Sequence, residues 1–107
     1  QELRERERMF HEVLDIDPDD QIANFGLADI SYKRGEYDKS MGHLEKVLHA
    51  NEKHSQAYLL LGKCYQTKRM RKEAKETFEK GVQIASKQGE MMPANEMQSL
   101  LVQINET

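Results

Sequence analysis

The chain has 107 residues, a formal net charge of −3, 33% charged and 37% hydrophobic residues, and no Trp. That length suits one domain, residues 1–107, and the modest apolar content suits stacked layers that each bury only the faces of their neighbours. The charge balance speaks against a nucleic-acid partner, and no run approaches the roughly 20 apolar residues of a membrane span. The one cysteine, Cys64, cannot form an intramolecular disulfide and fits a reducing, cytoplasmic compartment.

The first predicted helix carries Phe10, Val13 and Leu14 and ends at Asp17-Pro18, where proline cannot continue it. Its Arg4-Glu5-Arg6-Glu7-Arg8 run reads as an exposed, ion-paired helix surface. The second helix, 21–34, places Ala23, Leu27, Ala28, Ile30 and Ser31 at helical spacing and stops at Gly35. Asp19 or Asp20 is its expected cap. The third, 37–50, carries Tyr37, Met41, Leu44, Val47 and Leu48, with Gly42 inside it as a candidate close contact. The fourth, 55–67, is expected to be capped by Ser55 and carries Leu60, Leu61 and Tyr65. The fifth, 71–86, carries Ala74, Phe78, Val82 and Ala85. The last, 93–106, is amphipathic through Met97, Leu100, Leu101 and Ile104, with Pro93 in its first turn.

Shifting the sequence by 34 residues aligns Phe10 with Leu44 and Phe78, Val13 with Val47 and Gly81, and Leu14 with Leu48 and Val82. The same shift aligns Leu27 with Leu61, Ala28 with Gly62, and Ser40 with Ala74. Size and polarity match together, which marks a repeated buried geometry. One turn departs from the repeat: Arg69 and Arg71 stand where the first unit has Gly35 and Tyr37, so this turn is expected to pack less tightly.

The stretch from Ala57 to Tyr65, followed by Ala74, Phe78 and Gly81, resembles a tetratricopeptide repeat. Leu27, Ala28, Gly35, Tyr37, Ser40, Leu44 and Val47 resemble a second copy. The resemblance implies an all-α fold, an α-solenoid of antiparallel helix–turn–helix hairpins with about six helices. It divides the chain into the second helix of a partial repeat (1–20), full repeats at 21–54 and 55–88, and a capping helix at 89–107.

The resemblance also implies a non-enzymatic adaptor that takes a peptide or helix of a partner protein in a concave groove lined by the first helix of each repeat. The matching positions are Ile22, Phe25, Asp29, Tyr32 and Lys33, then Gln56, Leu59, Lys63 and Gln66. Phe25, Tyr32 and Leu59 are the expected anchors, being large groups off the core faces. Family members that clamp acidic C-terminal tails use Lys, Asn and Arg in this groove. Phe25 and Asp29 occupy such sites here and Leu60 takes the place of the Asn, so the clamp is not expected. The alternative is a homodimer formed through the edge of the partial repeat, at Leu3, Met9, Phe10 and Val13.

No cofactor, metal site or catalytic constellation is expected. His11, His43, His49 and His54 lack the spacing of a helical metal pair and read as exposed polar residues. Cys64, beside Leu60 and Leu61, reads as a buried structural thiol. Lys68, Arg69, Arg71, Lys72 and Lys75 form a basic knot suited to an acidic partner.

Overall fold

A computed structural model of the chain describes residues 2–106. Among these there are six helices and no strand: α1 (Glu2–Ile16), α2 (Gln21–Lys33), α3 (Tyr37–Ala50), α4 (Ser55–Thr67), α5 (Arg71–Lys87) and α6 (Met91–Glu106). They form two compact units, the first running to Glu52 and the second starting at Lys53.

In the first unit, α2 lies between α1 and α3. Asp20 caps α2, its carboxylate accepting from the Ala23 N–H at 2.8 Å. The buried Asn24 amide fixes the preceding turn by donating to the carbonyls of Pro18 and Asp20, both at 3.0 Å. Between α2 and α3 the core is Leu27, Ala28, Leu44 and Val47, all at most 2% exposed. Ser40 is fully buried as well, and its hydroxyl donates to the Ala28 carbonyl at 2.8 Å. This bond satisfies a polar group that burial would otherwise penalise. The helix α1 has no buried residue. It rests on α2 through Leu3, Glu7, Phe10 and Leu14, a half-buried stripe at helical spacing. The Phe10 ring fills the space where a Cβ on Gly26 would stand.

In the second unit, α5 packs between α4 and α6. Phe78 is fully buried against Gly62, and Gly81 admits the Met97 thioether of α6 and the Tyr58 side chain. The glycine at position 81 thereby makes room for the helix that follows. Cys64 is fully buried in this core. Gly42, in contrast, has open space where its Cβ would be, so it marks no close contact.

His54, and not the expected Ser55, caps α4: its Nδ1 accepts from the Ala57 N–H at 3.1 Å. Ser55 instead donates its hydroxyl to the Glu90 carboxylate at 2.7 Å. Helix 4 begins one residue after a ring nitrogen placed to receive its orphan amide, which leaves the serine hydroxyl available for the α5–α6 turn.

Three helices end in the same way. Gly35 (φ 79°), Arg69 (φ 62°) and Gly89 (φ 74°) each take the left-handed conformation. In each case the next residue's N–H reaches back five positions, Glu36 to Ser31, Met70 to Tyr65 and Glu90 to Ala85, at 2.9 Å. The Arg69 turn therefore keeps the hydrogen bonds of its glycine counterparts; the expected loosening is absent from the backbone.

Candidate partner-binding faces

The anchors expected from the sequence meet different fates in each unit. On α2, Ile22 is 77% exposed and Lys33 is exposed, while Phe25, Asp29 and Tyr32 are half-buried. Spacings of three, four and three place Ile22, Phe25, Asp29 and Tyr32 along one face. Asp29 and Lys33 pair at 3.0 Å one turn apart, a contact that water largely screens. The Tyr32 ring packs edge-on against Tyr37 of α3, with centroids 5.5 Å apart. This contact orients Tyr32 before any partner arrives.

On α4, Gln56 is exposed and Gln66 half-buried. Lys63 is half-buried and pairs with Glu96 of α6 at 2.8 Å. Leu59 does not belong with the offered anchors: it is 6% exposed. Seven of the eight residues from Ala57 to Cys64 are buried, and Lys63 is the exception. A helix enclosed on that many sides has only a narrow free strip, and Leu59 lies outside it. Leu60 is buried too.

The edge expected on α1 divides as well. Met9 is 61% and Val13 40% exposed, and Ile16, not singled out from the sequence, is 88% exposed. Leu3 is half-buried on the α2 side. Phe10 is removed from the edge, because its ring is seated at Gly26. The run of alternating charges above it does form an ion pair, Glu7 with Arg34 at 2.8 Å. The Arg34 hydrogen bond holds the Glu7 carboxyl below its usual range, and that same bond raises Arg34.

Two histidines are more engaged than the sequence suggests. Asn24 uses its amide nitrogen on two carbonyls, so its oxygen accepts from His43 Nδ1–H at 3.0 Å. Burial, with Lys46, His11 and Lys39 nearby, pushes His43 below its ordinary value. Burial likewise lowers His54, against an opposing pull from its backbone hydrogen bond and from Glu90. Among the described residues no three His, Cys, Asp or Glu side chains gather to hold a metal ion. No described helix is long and apolar enough to cross a membrane.

A cleft of about 530 Å³ opens in the second unit between Gln66, Arg69, Arg71, Gln103 and Ile104. The sequence signalled its arginines as part of the basic knot, but not the residues of α6 that complete it.

The model of the tetratricopeptide repeat family matches residues 55–88, the segment of α4 and α5 with its Gly62–Phe78 contact. The chain contains a tetratricopeptide repeat. Its all-α fold, of the α-solenoid class, recurs in the Yersinia enterocolitica type III secretion translocator chaperone SycD. That match has a TM-score of 0.90 at 16% identity, covering 97% of this chain and 72% of the other. The first tetratricopeptide repeat domain of Spaghetti (RPAP3), bound to the HSP90 peptide SRMEEVD, matches with a TM-score of 0.83 at 15% identity over 98% of this chain and 79% of its own. The TPR2B domain of yeast Sti1, in complex with pHsp70, gives 0.85 at 14% identity over 94% and 80%. At these identities the likeness concerns the fold. No curated protein matches this tetratricopeptide-repeat chain in sequence.

Proposed function

We propose that this tetratricopeptide-repeat chain is a non-enzymatic protein-interaction module that receives a peptide or helix of a partner on the exposed face of a repeat-opening helix. The observation that carries the reading is the α2 face, where Ile22 is 77% exposed beside the half-buried Phe25 and Tyr32. Aromatic groups that are already oriented and only partly covered bind with little further loss of side-chain entropy. The solved complexes of Spaghetti with an HSP90 peptide and of Sti1 with pHsp70 show that this fold serves partner binding in other proteins. Asp29 on the same face and the buried Leu60 do not suit an acidic tail, which favours an apolar or mixed-charge segment there.

Selection from a peptide display library against the intact chain tests it. Enriched peptides should lose at least about tenfold in affinity, on the order of 1.4 kcal/mol, with Phe25→Asp or Tyr32→Ala. Binders indifferent to both substitutions would remove the α2 face from consideration.

A second reading rests on α1, which has no buried residue yet carries Met9, Val13 and Ile16 on its open side. Self-association through this strip would cover it. Sedimentation should then show a concentration-dependent dimer that Val13→Glu abolishes; a monomer at all concentrations removes this reading.

A further inference from the structure

The same three repeat positions are filled in opposite ways in the two units. In the first unit they are Tyr32, Gly35 and Tyr37, and the two tyrosine rings pack together and close the turn. Thirty-four residues later they are Gln66, Arg69 and Arg71. There the plug is missing, and the cleft of about 530 Å³ stands open with Gln103 and Ile104 on its far wall.

Two arginines, Arg69 and Arg71, line the cleft, and the rest of its surface is more apolar than polar. Within residues 68–75 there are five basic side chains against one acidic, in a chain whose net charge is −3. Arg71 is held in place by donating from Nη2 to the Ile104 carbonyl at 2.6 Å. That bond uses one of the five N–H donors of a guanidinium and fixes the plane of the rest. Arg69 is exposed, and while its backbone N–H donates to the Gln66 carbonyl at 3.0 Å, its guanidinium makes no hydrogen bond or ion pair with a described residue. It also sits at φ 62°, where the equivalent turns have glycine. Such strain, borne by a side chain without a hydrogen bond or ion pair inside the fold, is typical of ligand-binding positions.

We infer that this cleft is an acceptor site for a carboxylate side chain of an acidic peptide segment, bound by Arg69 and Arg71 with the amides of Gln66 and Gln103 beside them. Two guanidinium groups match the planar, two-oxygen geometry of a carboxylate. A single confined cleft suits one or two acidic side chains. A nucleic-acid backbone would need a longer basic track, and the acidic balance of the chain opposes one. Every residue involved belongs to α4, α5, α6 or the turn at Arg69, so the inference stands apart from the α2 reading above and survives its failure.

The probe is a blocked hexaglutamate peptide, titrated at low ionic strength into the intact ¹⁵N-labelled chain, with hexaglutamine as control. The side-chain resonances of Arg69, Arg71 and Gln103 should shift with the acidic peptide only, and added salt should weaken the effect. Arg69→Gly should weaken binding by about tenfold, as expected for one charge-assisted contact, while raising the melting temperature because glycine accepts the backbone conformation. Gln103→Glu, at an exposed position, should weaken binding by repulsion without touching the turn. Shifts spread evenly over other lysines, or unchanged affinity in Arg69→Gly, would overturn the inference. Tighter binding of a six-nucleotide oligothymidylate than of hexaglutamate would overturn it too, in favour of a general polyanion site.

Discussion

The ring of Phe78 lies directly against the backbone of Gly62, closely enough to occupy the space of a Cβ. The absent side chain on α4 is what lets α5 approach. Gly62→Ala should therefore destabilise the chain by about 1–3 kcal/mol through overpacking, although alanine is the better helix former by about 1 kcal/mol. Chemical denaturation checks the sign; a more stable variant would mean that the ring moves aside freely.

Gly42→Ala is the matched opposite. Nothing lies within 4 Å of the added methyl group. The substitution should raise stability by about 0.5–1 kcal/mol through reduced unfolded-state entropy and better helix propensity. The same denaturation experiment measures both variants.

Leu59→Ala should report on the fold before it reports on any partner. With Leu59 6% exposed, truncation should cost about 2–5 kcal/mol. A loss under about 0.5 kcal/mol, the scale of surface changes, would return Leu59 to the set of offered anchors.

The α4 cap makes stability depend on pH. His54 Nδ1 must be unprotonated to accept the Ala57 N–H. Burial places its folded pKa below the ordinary 6.5, so the unfolded chain takes up the proton first. The cap's contribution is complete above about pH 6.5 and fades as the pH falls through the lowered value. His43, lowered mainly by burial, acts in the same direction. His54→Asn keeps a side-chain acceptor without titrating. Its melting temperature should change less between pH 7 and pH 5 than that of the parent chain, as calorimetry would show.

The helices were legible because Leu27, Leu44, Leu61 and Phe78 repeat at a fixed interval and their neighbours alternate in size. Burial follows from that pattern wherever a residue faces its own hairpin partner. Leu59 was not legible, because its cover depends on how much of the α4 surface is enclosed, which the pattern of one repeat does not encode. The pattern places Phe10 at an edge for the complementary reason: Gly26, which receives its ring, has no small counterpart 34 residues on, where Leu60 stands. The cap at His54 was missed because serine and aspartate are the usual acceptors at helix starts. The basic knot was visible as charge, but only the fold brings Gln103 and Ile104 alongside Arg69 and Arg71.

The seat of α6 on Gly81 exposes the second unit to oxidative chemistry. Met97 is fully enclosed there, whereas Met9, Met91 and Met92 are 61%, 53% and 85% exposed. Oxidant should reach these outer thioethers first and leave the fold intact. Sulfoxide formation at Met97 would put a polar oxygen beside Gly81 and Tyr58, in a space sized for bare sulfur. The last helix would then be the part of the tetratricopeptide-repeat chain to come away.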